Sequence, residues 1–391
     1  MICRVSIKRY NSETLLFQNK DKMYRFETIY DAVSAKERRT LSALFSHQLM
    51  GEIALEWAEL IRSSVKKDHE LILFKIFREE KLIGIAILSI IRKLKILQWT
   101  AAPSLFKAFI NFDVGFIEIP LSNMSGLLTE QGLDIGERYR IMDVLCGHIR
   151  QKININILCI KINQDPDVAS KSILCKNMTP LSFSPNTVLK YPYGSFREYA
   201  DSLPRKKYRR CIADQKKLKK EGGDIEIVQD ISNCIDEIYA LYKKTCNQAK
   251  KKKDYMEMPV LIDKDFFTII QTFSNLKPRF ITIRVNGDII AYSLLLQSGR
   301  TLFFKAVGLD YNLSYPTKSY FNLFYAALEY AGQQQCNKID FGMTSYHFKQ
   351  WLGCELTPAS YICCSFTPLI SLFKKPLAFF IGHKIRSGGS K

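Results

Sequence analysis

The stretch TLFFKAVGLDYNLSYPTKSYFNLFYAALEYAGQQQCNKIDFGMTSYHFKQWLG, residues 301–353, decides the fold of this chain. It opens with residues 301–309, an apolar run that is typical of a buried strand. A helix is predicted from Pro316 to about residue 331, with the proline in its first turn and Gly332 as its cap. Residues 337–342 return to strand, so the order strand, helix, strand predicts a unit of the α/β class.

A hairpin precedes this stretch, and a similar hairpin lies about 200 residues earlier. The segment FITIRVNGDIIAYSLLLQ (280–297) turns at Asn286-Gly287-Asp288, where asparagine and glycine tolerate a positive φ. The earlier segment LILFKIFREEKLIGIAILSI (71–90) has the same layout around a polar turn. A strand, a helix and a strand follow each hairpin, which predicts an internal duplication. The alternative, two unrelated hairpins, stays open on these residues alone.

The duplication predicts two tandem units, each with a central mixed sheet flanked by helices. The fold class is therefore α/β with mixed α+β sheets. Residues 163–187 contain three prolines and many small polar residues, and they mark the crossing between the units. We expect an N-terminal unit over residues 1–186 and a C-terminal unit over residues 187–366. Residues 367–391 form a separate segment of mixed apolar and basic residues.

Composition and charge restrict the function classes. The chain has 391 residues with 57 basic and 38 acidic side chains, a formal charge of +19, which favours anionic partners. Eleven cysteines at irregular spacing, without a CxxC pair, predict reduced thiols in a cytoplasmic protein. Five scattered histidines and the lack of zinc-type spacing argue against a metal centre. Neither a signal-peptide core nor an apolar run of the roughly 18 residues of a membrane span is found.

The densest positive charge lies in SFREYADSLPRKKYRRCIADQKKLKKEGG, residues 195–223. Residues 205–220 carry nine basic side chains and one acidic side chain. Helical spacing puts Arg205, Arg209 and Lys216 on one broad face. The pattern predicts a basic helix beside an anionic ligand, and the alternative is a solvated amphipathic helix.

The predicted helix that opens at Pro316 offers a second place for an anion. Thr317 and Ser319 are small and polar in its first turn, and Lys318 adds a positive charge. Free backbone N–H groups and the positive end of the helix dipole favour a phosphate group there. The alternative is an ordinary capped helix.

These motifs, in this order, resemble the GNAT acyltransferase superfamily, and more closely its Fem-like and CelD-like branch with two GNAT units in tandem. That branch has a Phe-x-x-Tyr-x-x-x-Leu segment before an Arg/Lys-rich helix, which matches Phe196, Tyr199, Leu203 and residues 205–210. It also has an Asp-Phe-Gly strand end before a Tyr/Phe-Lys-x-x-x-Gly segment. The matching residues are Asp340-Phe341-Gly342, Phe348-Lys349 and Gly353. The first half resembles the N-terminal unit of the branch in layout only.

The resemblance implies an N-acyltransferase that moves an acyl group from acyl-CoA or acetyl-CoA, or from a carrier-bound thioester, to an amine acceptor, without a metal. It makes Asp340 the base or the group that orients the acceptor, assisted in proton transfer by Ser345 and Tyr346. The other implied site residues are Lys305, Pro316, Thr317, Lys318 and Ser319 for the donor, and Arg205, Arg209 and Lys349 for phosphate or carboxylate groups of the substrates.

Two departures from the pattern bear on the donor. Thr317-Lys318 follow Pro316 where the family often has glycine, and the Q/R-x-x-G-x-G/A loop is absent from both halves. Fem-type relatives use aminoacyl-tRNA without CoA, so a Fem-like aminoacyl transfer in cell-envelope synthesis is one alternative. Another is a non-catalytic GNAT-like module that binds RNA or anionic lipid. For residues 367–391 we expect a peripheral contact with the inner membrane face, or packing on the second unit.

Overall fold

The computed structural model describes residues 15–19, 22–30, 32–48, 50–64, 69–94, 111–122, 124–163, 178–251 and 262–366. The strands are β1 (Leu15–Asn19), β2 (Lys22–Ile29), β3 (His69–Arg78), β4 (Lys81–Leu94), β5 (Phe112–Ile119), β6 (Met124–Ser125), β7 (Leu127–Thr129), β8 (Ile157–Asn163), β9 (Met178–Lys190), β10 (Gly223–Val228), β11 (Arg279–Val285), β12 (Asp288–Ser298), β13 (Thr301–Leu309), β14 (Lys338–Gly342) and β15 (Glu355–Ser365). The helices are α1 (Ala35–Leu44), α2 (Ala54–Ser64), α3 (Ile135–Lys152), α4 (Phe196–Asp201), α5 (Arg205–Lys220), α6 (Ile235–Lys250), α7 (Lys264–Ile269), α8 (Tyr311–Thr317), α9 (Ser319–Gln333) and α10 (Tyr346–Trp351). The predicted membrane contact of residues 367–391 lies outside the described residues.

The strand order repeats in the two halves of one mixed sheet. Its path is β1-β2-β3-β4-β5-β8-β15-β9-β14-β13-β12-β11-β10, with the short β6 and β7 beside β5 and β4. Each half has an antiparallel hairpin, β3–β4 or β11–β12. Each hairpin leads to a parallel pair, β5 with β8 or β13 with β14, whose strands are joined through a helix. This layout confirms the predicted duplication and the α/β class of tandem GNAT-like units.

The last strand ties the two halves together. Strand β15 lies between β8 and β9 and is antiparallel to both, while β9 pairs with β14 on its other edge. Strand β9 follows β8 in sequence but pairs with strands of the second half, and β15 returns to the first half. The two units therefore exchange their terminal strands. Strand β9 also occupies part of residues 163–187, the segment that the sequence predicts as the crossing between the units.

Helices of both units cover one side of the sheet, which we call the shared face. There α2 packs against α7, and the ring of Trp57 meets Phe266 edge-on at 5.7 Å between centroids. These residues belong to one buried cluster with Phe303 of β13. The opposite side has two separate cores, one under α3 and one under α4, α5, α9 and α10. The core of the shared face is therefore the one to which helices of both units contribute, among the described residues.

The helix predicted to open at Pro316 begins elsewhere, so that prediction is wrong. The Asp310 carboxylate accepts hydrogen bonds from the backbone of Asn312 and Leu313 and starts the short helix α8 at Tyr311. Pro316 therefore lies in the last turn of α8. Lys318 follows with a φ of 58°, which ends α8, and α9 starts at the next residue.

The predicted cap of this helix also has a different role. Gly332 is buried inside α9, which continues to Gln333. A Cβ atom on Gly332 would lie 2.3 Å from the carbonyl oxygen of Gly194. The glycine therefore permits the close approach of the chain that leads into α4, rather than a left-handed cap.

The predicted hairpin turn agrees with the structure. The hairpin turn has positive φ at Asn286 (52°) and Gly287 (91°), as the sequence predicts. The nine described cysteines are free thiols. None of the described helices is long and apolar enough to cross a membrane.

Candidate functional site

A row of polar side chains crosses the middle of the sheet on the shared face. Six consecutive strands contribute one residue each. In spatial order these are Glu118 (β5), Lys161 (β8), Tyr361 (β15), Asn186 (β9), Asp340 (β14) and Lys305 (β13). All but Lys305 are more than nine-tenths buried. Buried charges persist when they are paired and hydrogen-bonded, so a row of this kind marks a candidate site.

The row connects the two places where parallel strands separate. Strands β13 and β14 pair only up to Phe303 and Asp340, and β5 and β8 only up to Ile117 and Ile160. Beyond its last pair, β13 has an irregular register with β12, and Ala306 takes a φ of 41°. Such a bulge bends the strand away from its neighbour. In each unit the parallel strands therefore stop pairing next to the charged residues. We call the place between β5 and β8 the first opening and the place between β13 and β14 the second opening.

Asp340 is fully buried in the middle of β14, where it forms the last pair of that strand with β13. Its Oδ1 accepts a hydrogen bond from the backbone N–H of Gly342 at 2.7 Å, and its Oδ2 accepts one from Nδ2 of Asn186 at 3.3 Å. Burial raises the pKa of the Asp340 carboxyl, and the nearby ammonium of Lys305 is the strongest opposing influence. The carboxyl is therefore suited to accept a proton closer to neutral pH than an exposed aspartate.

Lys305 reaches from the second unit towards the first. Its ammonium donates a hydrogen bond to the carbonyl oxygen of Ser122 at 3.3 Å. Burial lowers the pKa of Lys305, and the attraction of Asp340 opposes that shift. The residue is only partly buried, so Lys305 is the least buried member of the row.

The first unit contributes a second carboxylate and ammonium, which the sequence analysis missed. Burial raises the pKa of Glu118 and lowers the pKa of Lys161 to about 8. Tyr361 donates a hydrogen bond to Oε2 of Glu118 at 2.5 Å, and the Lys161 ammonium lies 4.5 Å from the centre of the Tyr361 ring. A signal existed, because both charged residues interrupt apolar strand runs, DVGFIEIP and INILCIKI.

Lys349 is buried and bound to backbone carbonyls. Its ammonium donates to the carbonyl oxygens of Phe341 (2.6 Å), Gly342 (3.2 Å) and Met343 (2.8 Å). Burial lowers the pKa of Lys349 to about 7, while Asp340 is among the groups that oppose the shift. The three N–H groups of the Lys349 ammonium therefore hold the backbone turn at residues 341–343 in place.

Ser345 and Tyr346 stand at the start of α10. Ser345 is exposed and has a φ of 52°. The hydroxyl of Tyr346 donates to the carbonyl oxygen of Pro185 at 2.9 Å. These two residues therefore line the rim of the second opening, next to the end of the strand that carries Asp340.

Aromatic rings fill the second opening on the side away from the shared face. Phe304 of β13 and Phe341 of β14 have centroids 5.5 Å apart. Phe324 of α9 contacts both rings, at 4.6 Å and 4.8 Å. An extended arm of a donor between β13 and β14 would have to displace these rings. The ammonium of Lys305 lies on the shared face, 5.5 Å from the centre of the Phe303 ring and on the other side of the sheet from these rings.

The predicted phosphate seat lies at the junction of α8 and α9. The hydroxyls of Thr317 and Ser319 are 2.6 Å apart and form a hydrogen bond with each other, and both residues are buried. Lys318 directs its ammonium over the ring of Tyr315, at 4.6 Å. Pro316 is exposed on α8. The structure therefore brings these four residues together, but their two hydroxyls are already partnered.

The predicted substrate-binding arginines are separated from Asp340 by the sheet. Arg205 and Arg209 are exposed on α5, which packs through Cys211 and Leu218 on the core opposite the shared face. Arg210, which the sequence analysis did not single out, stacks on Trp351 at 4.9 Å.

The aromatic residues of the matched Phe-x-x-Tyr segment are structural. Phe196 packs on Tyr325 with centroids 5.0 Å apart. The hydroxyl of Tyr199 donates to the carbonyl oxygen of Leu352 at 2.6 Å. The segment therefore joins α4 to the chain after α10. In the described ranges, no group of three or more His, Cys, Asp or Glu residues could hold a metal ion.

Comparisons with known proteins bear on the fold. Residues 171–355 match the FemAB_like family model, described as peptidoglycan biosynthesis/recognition. A crystal structure of FemX has a TM-score of 0.56 at 11% identity, covering 90% of this chain and 100% of that one. The C-terminal domain of a putative lysylphosphatidylglycerol synthetase from Agrobacterium fabrum has a TM-score of 0.53 at 11% identity, covering 90% and 97%.

A tandem GNAT protein from the clavulanic acid biosynthesis pathway is similar over the same extent. Its TM-score is 0.50 at 10% identity, and the match covers 88% of this chain and 99% of that chain. A search of curated proteins finds no match. At these identities the solved structures establish the fold alone. The chain therefore has the tandem GNAT fold, and its residues 171–355 are similar to the FemAB-like family.

Proposed function

We propose that this protein is a transferase that moves an acyl or aminoacyl group from an activated donor to an amine in cell-envelope synthesis. The FemAB-like match and the tandem GNAT fold support this class of enzyme. The observation that carries the proposal is the placement of Lys305 and Asp340 together on the shared face, where β13 and β14 separate. An ammonium beside a buried carboxylate suits acyl transfer.

The chemistry requires positioning and charge stabilisation. The amine nitrogen attacks the donor carbonyl carbon, a C–N bond forms, and the bond from this carbon to the leaving sulfur or oxygen breaks. In this proposal Lys305 stabilises the negative charge that develops on the carbonyl oxygen. Asp340 keeps the Lys305 ammonium charged and receives the proton that the amine loses, which then passes to the leaving group.

The other predicted site residues have supporting parts in this proposal. Lys349 fixes the turn that carries Gly342, whose N–H holds Asp340 in place. Ser345 and Tyr346 form the rim of the opening and are proposed to assist proton transfer. Arg205, Arg209, Pro316, Thr317, Lys318 and Ser319 stay predictions for binding phosphate groups, because they lie away from the row.

The donor separates two versions of the function. Acyl-CoA or acetyl-CoA is the donor of many GNAT-like enzymes, and its arm would lie between the splayed strands. The packing of Phe304, Phe324 and Phe341 in that space favours the second version, in which an aminoacyl-tRNA donor enters from the shared face. The FemAB-like match supports the same version.

We also propose the domain limits 1–186 and 187–366, a cytoplasmic location, and a peripheral membrane contact through residues 367–391.

Native mass spectrometry of the purified full chain with acyl-CoA, CoA and charged tRNA tests the donor. Turnover is then followed as thiol release for acyl-CoA or as product formation from labelled aminoacyl-tRNA. Transfer from either donor to an amine supports the proposed class, and the donor that turns over selects the version. Binding of RNA or lipid without any transfer supports the non-catalytic module instead.

A further inference from the structure

The exposed side of α5 has a concentration of positive charge without partners. Seven exposed cations form what we call the cationic ridge: Arg205, Lys206, Arg209, Lys216, Lys217, Lys219 and Lys220. None of them forms an ion pair with a residue that the structure describes. Exposed lysines elsewhere do, as Lys190 does with Glu355 at 2.9 Å. Like charges on one helix repel one another, and the helix dipole favours only those in the last turn.

The single acid of α5 does not neutralise the ridge. Asp214 is buried on the inner side of the helix, where its Oδ2 accepts a hydrogen bond from the hydroxyl of Tyr325 at 3.1 Å. Arg210 approaches Asp214 at 4.0 Å and lies over Trp351, so it is directed away from the ridge. The outer side of α5 therefore has no anionic partner among the described residues.

An exposed apolar surface lies beside the ridge. Helix α8 packs against α5 and presents Tyr311, Leu313 and Tyr315, which are 41%, 45% and 78% exposed. We call these three residues the apolar ledge. Lys318 joins the two surfaces, because its ammonium lies over the Tyr315 ring and also attracts the carboxylate of Asp214 in α5.

We propose that the cationic ridge and the apolar ledge together form a docking surface for an anionic lipid bilayer. Lysine and arginine side chains bind the phosphates of the headgroups, and tyrosine and leucine enter the interfacial layer. A protein surface that binds anionic bilayers typically combines a cluster of cations with a few exposed apolar side chains. The inference concerns residues other than 367–391, and it does not depend on the transferase activity.

The ledge favours a bilayer over a nucleic acid as the partner. Single-stranded nucleic acid binds by stacking its bases on free aromatic faces. One face of the Tyr315 ring is covered by the Lys318 ammonium. Leu313 would stay in water beside a phosphate backbone, whereas the interfacial layer of a bilayer accommodates it.

Sedimentation of the full-length protein with vesicles tests this surface. We expect binding to vesicles of phosphatidylglycerol mixed with phosphatidylcholine and none to phosphatidylcholine alone. Added salt should release the protein, because surface charges are screened. Free glycerol phosphate at the same phosphate concentration should not release it, because single phosphates do not engage several cations at once.

A matched pair of triple variants isolates the ridge. The first combines Lys216→Gln, Lys217→Gln and Lys220→Gln, and each lost cation should weaken vesicle binding about fivefold, so the triple loses on the order of 100-fold. The control is a triple that combines Lys81→Gln, Lys190→Gln and Lys264→Gln, which removes the same charge from ion-paired surface lysines and should bind nearly as the parent does. Both triples keep residues 367–391, so any contribution of that segment cancels.

The ledge has its own variant, and specific results overturn the proposal. Leu313→Ser combined with Tyr315→Ser should weaken vesicle binding at high salt, where the cations contribute least. Equal binding by the two lysine triples, or equal binding to vesicles with and without phosphatidylglycerol, contradicts the docking surface. Binding to single-stranded RNA that depends on the ridge, without vesicle binding, assigns the surface to nucleic acid instead. Circular dichroism of each variant confirms that it folds.

Discussion

The hydroxyl of Tyr361 lies 2.5 Å from Oε2 of Glu118, and this hydrogen bond connects the last strand of the chain to the first unit. Tyr361 belongs to β15, whose sequence lies in the second unit, while Glu118 ends β5. The exchange of terminal strands brings the two residues together across 243 positions of sequence. The buried polar row therefore exists only when both units are folded against each other.

Replacing the phenol tests how strongly this contact joins the units. Tyr361→Phe removes the donor to a buried carboxylate, and we expect the free energy of unfolding to fall by about 1–3 kcal/mol. Urea denaturation followed by circular dichroism measures the change. Tyr315→Phe, at an exposed tyrosine, is the control and should change stability by less than about 0.5 kcal/mol. Equal stability of the two variants contradicts the structural role of the contact.

Lys349 gives a second prediction about the turn after β14. Lys349→Met keeps the length of the side chain but leaves the carbonyls of 341–343 without their donor. We expect a loss of about 3 kcal/mol in the free energy of unfolding. The neighbouring Gln350→Met, at an exposed position, serves as the matched substitution. If both methionine variants unfold at the same urea concentration, the three hydrogen bonds do not hold this turn.

The acid sensitivity of the fold should depend on His148. This residue is buried against Phe26 and Phe74, and burial lowers its pKa from 6.5 to about 4. The unfolded chain takes up this proton below pH 6.5, and the folded protein only near pH 4, so stability falls as the pH drops through that window. The shift corresponds to a loss on the order of 3 kcal/mol.

Denaturation at a series of pH values measures this loss. His148→Gln should lose less stability between pH 6.5 and pH 4 than the parent protein does. His347→Gln, at an exposed histidine, should follow the parent. A parallel acid response of the parent and His148→Gln would mean that the histidine is protonated in the folded state.

Local sequence signals predict much of this fold. The positive φ of Asn286 and Gly287 follows from the residue types that tolerate it, and the hairpins follow from alternating apolar strands and polar turns. Both the duplication and the placement of Asp340 in a strand follow from such patterns. The start of α9 was predicted wrongly because the cap of α8 is Asp310, six residues before the proline that normally marks a helix start.

Long-range contacts account for what the sequence does not reveal. Strand β9 has its partners in β14 and β15, almost 150 residues or more further along the chain. Without those partners in view, its prolines and small residues indicate a linker. Glu118 and Lys161 belong to the site only because β15 lies beside β8. Gly332 looks like a helix cap until the backbone of Gly194 is placed against it.

Transfer to an amine by the parent protein and by variants of the polar row tests the central claim most directly. Rates are measured with charged tRNA and with acyl-CoA for the parent, Lys305→Met, Asp340→Asn and the exposed control Lys190→Met. We predict transfer from one donor, reduced on the order of 100-fold or more in the first two variants and unchanged in the control. Transfer that is equal in all four proteins, or absent from the parent with both donors, contradicts the account.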